Sequence, residues 1–193
     1  MKLHPTESKV IEKLFFSCWK NRGKQSPVTC FARKCAKLRT MAHRDGDGWI
    51  ECRCGQKHWG KNGAAGLLLV RDGEVLLQHR APWVHNGDTW GIPGGARDSH
   101  ESAFQAALRE SFEEIGIDTD SVTARFTHID DHVDWKYETI VASLEIVQET
   151  FTKNHETLDL RWFKFADVGA TPLHPSFARS WPELLKKLDF ENL

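Results

Sequence analysis

Between Gly95 and Ile117 the chain reads GARDSHESAFQAALRESFEEIGI, and no other stretch constrains the fold so tightly. Glu110, Glu113 and Glu114 stand at i, i+3 and i+4, offsets that put three carboxylates on one helical face within reach of a common point. Left alone they repel one another, so the pattern points to a hard divalent cation with oxygen ligands. Arg109 opens the same turn and forms an i, i+4 pair with Glu113. Asp98 and Glu101 have the spacing of an N-cap and its capping glutamate, which predicts a helix starting there. Gly116 is expected to end it in the left-handed conformation. Phe104, Leu108 and Ile115 form an apolar stripe whose missing member is Ser111, so Ser111 is expected to face the core. Ala103 and Ala107 are expected on the carboxylate face, where their size leaves room for a loop or a ligand.

The flanks extend the pattern. Gly63 to Val70 is a small-residue lead into a run apolar enough to be buried on both faces. Asp72-Gly73 is a hairpin signal, and Val75 to Arg80 reads as the returning strand. A loop with an Asn86-Gly87 turn follows over Ala81–Asp88, then the glycine-rich approach Thr89–Gly95. Beyond the helix, Ser121–Ile129 and Glu138–Val147 read as strands around the polar loop 130–136. Leu158–Phe165 reads as a further strand and Ser176–Leu188 as an amphipathic helix. Elements in this order imply an α/β fold with a mixed sheet between helices.

The spacing in Gly95–Ile117 resembles the signature of the Nudix (MutT-like) hydrolases. That signature is a glycine, five residues, a glutamate, seven residues, Arg-Glu, an aliphatic, any residue, Glu-Glu, any residue, then Gly and an aliphatic. The departure is Ser111, where an aliphatic is usual. The resemblance covers roughly residues 60–190 and implies the Nudix α/β/α sandwich, a mixed β-sheet between helices. It also implies a divalent cofactor, Mg2+ or Mn2+, held by Glu110, Glu113, Glu114 and the Gly95 carbonyl. Arg109 would orient the glutamates, and the general base would be a glutamate of the helix or one from a later loop, here Glu156. Glu101 matches the first glutamate of the signature. The strings His58-Trp59-Gly60, Leu173-His174-Pro175 and Ser180-Trp181-Pro182 look like an actinobacterial-type subgroup.

The implied reaction is hydrolysis of the pyrophosphate linkage in a nucleoside diphosphate derivative. The proline of some ADP-ribose-type members is absent, since no proline lies between Ile117 and Thr171, and so is the string of NADH-type members. The reading therefore tilts towards a nucleoside triphosphate, oxidised or not. An ADP-ribose, nucleotide-sugar or dinucleotide pyrophosphatase is the alternative, and a nucleotide-binding module without turnover is the competing class. A nucleobase wants a flat apolar partner. Trp83 and Trp135 are the stacking candidates, Trp90 is read as a core anchor, and Arg80 is a candidate for the phosphates.

Composition narrows the class. With 193 residues, 40% hydrophobic and 27% charged, the chain suits one catalytic domain with an appendage. No apolar run is long enough for a membrane helix and the opening residues lack a secretory pattern, so a cytoplasmic protein is expected. The net charge of -1 is unevenly spread, with ten Lys and Arg against two Asp and Glu in residues 1–40. The domain reading is a basic extension over 1–40, which need not be native because Met41 can serve as a start, and a catalytic domain over 41–193. A nucleic-acid role for the extension is not expected; the partner is a small nucleotide, and a monomer and a homodimer are both open. Cys30, Cys35, Cys52, Cys54 and His58 form a cysteine-histidine set, but C-x-C is tighter than a zinc knuckle, so buried thiols are expected.

Overall fold

The computed structural model describes residues 44–145 and 154–191. The basic extension, Cys30, Cys35 and the last residues of the strand expected over 138–147 lie outside them.

The expected strand at Gly63–Val70 is β3 (Ala64–Arg71), and seven of its eight residues are buried. Asp72 and Gly73 both take positive φ, 46° and 75°, the condition for the tight turn that returns the chain as β4 (Glu74–Arg80). The two strands then part: β3 and β4 pair only at Val70–Val75 and Arg71–Glu74. Past that point β3 pairs in parallel with β8 (Lys136–Leu144), which pairs antiparallel with β7 (Val122–Asp131). On the other arm, β4 pairs antiparallel with β9 (Thr157–Lys164).

The glycine-rich segment closes the gap between the arms. Trp90–Gly91 forms β5 against β4, and Gly94–Ala96 forms β6 against β3. Between them the carbonyl of Pro93 accepts from Leu67 N at 3.0 Å. Such a crossing requires close backbone approach. A Cβ on Gly94 would lie 2.5 Å from the Ala65 carbonyl oxygen and 2.6 Å from Gly66 Cα. Neither short strand is visible as periodicity, because two or three glycine-rich residues carry none.

Alternation along β3 divides the core. Leu67 and Leu69 face one side with Ala106, Ala107 and Ile115 of α1 (Ala103–Ile115). Leu68 and Val70 face the other with Phe177, Trp181, Leu184 and Leu188 of α3 (Pro175–Glu191). A single turn, α2 (Phe165–Val168), precedes α3 and adds Val168 to that side. The result is the expected sandwich, a mixed sheet with one helix layer on each face. None of the described helices is long and apolar enough to cross a membrane.

Two sequence expectations are corrected. The cap of α1 is Ser102, whose side chain accepts from Gln105 N while Gln105 returns the bond to Ser102 N. Of the Asp98–Glu101 pattern only the return half forms: Glu101 Oε2 accepts from Asp98 N at 3.1 Å as well as from Arg109, while the Asp98 carboxylate accepts from Gly46 N at 2.8 Å. Ala103 and Ala107 pack into the sheet-side core instead of lining an open face. A short separate hairpin, β1 (Trp49–Glu51) and β2 (Lys57–Trp59), precedes the main sheet and has no counterpart in the sequence reading.

Gly66 and Ser111 offer a paired test. A Cβ on Gly66 would overlap Tyr137 Oη and lie 2.9 Å from the Pro93 carbonyl, so Gly66→Ala is expected to cost about 1–3 kcal/mol. Ser111 is fully buried, yet among the described residues its Oγ bonds only to the Ala107 carbonyl one turn back, so Ser111→Ala should stay within about 1 kcal/mol. Urea denaturation midpoints at unchanged slope measure both.

Candidate active site

Gly116 ends α1 at φ 67°, as expected, and the last two turns of the helix lie beneath the Gly94–Gly95 crossing. Glu110 and Glu114 are buried there, while the Glu113 side chain is about a quarter exposed. Gly95 lies against Glu110, and a Cβ in its place would sit 2.7 Å from the carboxyl carbon. No other residue type would leave that carboxylate and the loop backbone side by side.

Arg109 holds the cluster through its fork. Nε and Nη2 donate to Glu101 at 2.7 and 2.8 Å, Nη2 also donates to the Ala96 carbonyl at 2.9 Å, and Nη1 donates to Glu110. The i, i+4 contact to Glu113 is longer, 3.8 Å, so Glu101 and Glu110 are its main partners. Burial alone would lower the pKa of Arg109; the bond to Glu101 and the charge of Glu110 outweigh that and raise it. One buried guanidinium thus ties the glycine loop, the first glutamate and the helix together.

Glu114 is held from the sheet side. Its Oε2 accepts from Gln78 Nε2 at 3.0 Å and from Gly94 N at 3.1 Å, and Thr157 Oγ1 donates to Gln78 Oε1 at 3.0 Å. Gln78 therefore carries a chain of bonds from β9 through β4 to the helix. Burial pushes the Glu114 carboxyl up to about 8, with the charge of Glu110 adding to it and the Gln78 and Gly94 bonds opposing it. Burial also raises Glu110, against the pull of Arg109 and Arg44. Arg44 pairs with Glu113 and lies 3.7 Å from Glu110, a side-chain cation where the carboxylates lack positive charge. Oxygen donors, burial, a shortage of positive charge and a glycine-width approach suit a small divalent ion.

This cluster opens on a cleft of about 790 Å³ whose lining includes Arg44, Trp49, Trp59, Arg80, Trp135 and Glu156. Glu156 reaches it from the turn before β9, with its side chain about half exposed. Arg80 donates from Nη2 to the His85 carbonyl at 3.1 Å, while its buried Nε has no partner among the described residues. Trp135 is wedged in the wall: its ring stacks on His58 at 4.3 Å, and Nε1 donates to the Gly60 carbonyl. Trp90 is the expected anchor, 8% exposed and stacked on His79.

Trp83 departs from the expectation. It is 67% exposed and does not line the cleft, because the turn closed by Val84 N and the Ala81 carbonyl turns it to solvent. The reading also passed over Arg44, Gln78, Trp49 and Trp59. Gln78 sits beside His79 and Arg80 in β4, so its polarity alone did not mark it out. Trp49 and Trp59 lie in strands of three residues, too short for a period to show.

Comparison with known proteins follows the same lines. A model of the NUDIX domain matches residues 60–185. A Mycobacterium tuberculosis protein designated a candidate 8-oxo-dGTP diphosphatase is 47% identical over 151 residues, covering 72% of this chain and 69% of the relative. A Bifidobacterium longum nucleoside triphosphate pyrophosphatase/Nudix hydrolase fusion protein is 38% identical over 76% of this chain and 32% of its own length. Among solved structures, the Nudix hydrolase RenU of M. smegmatis superposes with a TM-score of 0.68 at 41% identity, covering 75% of this chain and 96% of that one.

Two expected outcomes test the geometry. For Glu114 the folded pKa lies above the usual value of 4.5, so the stability linked to its proton is full below that value and is lost as pH rises through about 8. With a chelator present, the thermal midpoint should fall over that window; Mg2+ should restore it most at the alkaline end, and Glu114→Gln should flatten the profile. Separately, Gln78→Leu should weaken divalent-ion affinity by about 10–100-fold in a calorimetric titration, since Gln78 bonds directly to Glu114, an expected ligand.

Proposed function

The chain belongs to the NUDIX family of hydrolases, and from that premise we propose that it converts a nucleoside triphosphate, oxidised purine forms such as 8-oxo-dGTP included, into the monophosphate and pyrophosphate. The observation that carries the proposal is the carboxylate cluster of α1, intact beneath the Gly94–Gly95 crossing and open to a cleft large enough for a nucleotide. The tilt towards a triphosphate rests on the designation of the mycobacterial relative and on the absence of the ADP-ribose and NADH patterns.

Glu110, Glu113, Glu114 and the Gly95 carbonyl are the residues to hold Mg2+ or Mn2+. When bound, such an ion offsets the charge of the phosphate chain and lowers the pKa of a coordinated water. Arg109 works one step back, fixing Glu110 by a direct bond and the glycine loop through Ala96. Glu156, at the cleft wall, is the loop carboxylate for the proton of the attacking water, with Glu114 and Glu110 as the helical ones. Arg80 offers its Nε, unpartnered among the described residues, to a phosphate or to a base oxygen. Trp135 shapes the wall, and the half-exposed rings of Trp49 and Trp59, 5.5 Å apart at 71°, offer the flat apolar surface a base needs. Trp83, out on its turn, is given no part in the cleft.

A panel of nucleotides with Mg2+, analysed by product, decides the class. The expected result is faster turnover of triphosphates, with release of monophosphate and pyrophosphate. Glu113→Gln and Glu114→Gln should each lower kcat by at least about 100-fold while leaving the circular dichroism spectrum unchanged. Preferential cleavage of ADP-ribose, a nucleotide sugar or a dinucleotide would replace the triphosphate reading. Tight binding of one nucleotide without turnover would make the protein a binding module.

A further inference from the structure

The hairpin β1–β2 poses a problem of stability. It is two strands of three residues each, paired at Trp49–Trp59, Ile50–His58 and Glu51–Lys57, and hydrogen-bonded as a sheet of its own. Two-stranded ribbons of this size are marginal in water. Yet this one holds two tryptophans partly in solvent at the wall of the cleft, 51% and 41% exposed. Arg53 bonded to Asp134 and His58 stacked on Trp135 tie it to the loop after β7, and its own turn supplies the donors for a further tie.

Cys52, Cys54 and His58 each place a ligand atom within 4.8 Å of the other two, and Cys54 Sγ stands 3.2 Å from His58 Nε2. The turn explains the convergence. Gly55 N donates to the Cys52 carbonyl at 2.9 Å, Cys52 N donates to the Gln56 carbonyl at 3.0 Å, and Gly55 adopts φ 85°. The chain folds back within four residues, bringing His58 on the returning strand up to the two sulfurs. C-x-C is tighter than the usual knuckle spacing, and here the third donor arrives from across the hairpin.

We propose that Cys52, Cys54 and His58 form a zinc site, separate from the oxygen-lined cluster on α1. Tetrahedral zinc with bonds of about 2.3 Å to sulfur and 2.0 Å to nitrogen needs donors roughly 3.5–3.8 Å apart, within the spread of these three. Thiolate and imidazole are the ligands that select zinc over Mg2+. The imidazole is already oriented, for its buried ring is stacked within 8° of the Trp135 plane. For the remaining position the His132 carbonyl lies against Cys52 Sγ, and Asp134 Oδ2 lies 3.9 Å from that sulfur while accepting from Arg53 N and Nε. Binding releases one proton from each thiol to solvent and leaves a neutral imidazole on the metal. The ion would join the hairpin turn to the loop between β7 and β8, since Cys52 also meets the His132 carbonyl in that loop.

Metal analysis of the full-length protein, purified without added chelator or metal, tests the site. Wild type should carry about one zinc per chain. Cys52→Ser with Cys54→Ser should lose it, whereas Cys18→Ser with Cys30→Ser and Cys35→Ser, and Glu113→Gln with Glu114→Gln, should keep it. Exchange of wild type with Co2+ should give the sulfur-to-cobalt charge-transfer band of a tetrahedral thiolate site, a readout that needs no variant to fold. Zinc retained in the Cys52/Cys54 double variant would overturn the proposal. So would zinc lost with the three N-terminal cysteines, or a cobalt spectrum without the thiolate band.

Discussion

Negative charge on the last turns of α1 is the constraint to which the rest of the structure answers. Glu110 and Glu114 are buried, Glu113 stands beside them, and burial alone drives two of the three towards their neutral forms. A fold that crowds carboxylates this way stays stable only if positive charge and hydrogen bonds reach them from several directions. Arg109 comes from the helix itself, Arg44 from the segment before the first hairpin, Gln78 from the sheet and Gly94 N from the crossing strand. Each brings a different part of the chain to the same few ångströms.

The divergence of β3 and β4 makes this convergence possible. Two strands that stayed paired along their length would leave no opening over the helix. Because they share only two residue pairs, the glycine-rich segment can run between the arms and lay its backbone on the carboxylates. The glycines at 66, 94 and 95 are thus one device: each removes a Cβ that would collide with backbone, with Tyr137 or with Glu110. Tyr137 fills the space left at Gly66, so loop, tyrosine and glutamates form a single packed unit.

How much could be read from the chain alone depended on whether a feature was local. The carboxylate face, the inward Ser111, the left-handed Gly116, the Asp72-Gly73 hairpin and the buried β3 all follow from spacing within one element, and the structure contains each. The start of α1 did not, because two capping patterns overlap at 98–105. Ser102 and Gln105 form the complete box, whereas Asp98 turns its carboxylate to Gly46 N and Glu101 is shared between Asp98 N and Arg109. Gln78 is one of several polar residues in β4, and only its bonds to Thr157 and Glu114 set it apart.

By itself, then, the sequence determined the local pattern: residue types at helical spacing put three carboxylates on one face of a glycine-capped helix in a mixed α/β fold, the arrangement expected to suit a hard metal. Only the tertiary structure decided which groups surround that site. Arg44, Gln78 and the tryptophans of the first hairpin come from segments far along the chain, as does the meeting of the β1–β2 turn with the β7–β8 loop. The reason is physical: a periodic pattern encodes which face of an element is buried, but not which distant element covers it. That choice is made by packing, by the burial of charge and by the few places where a missing Cβ lets two backbones touch.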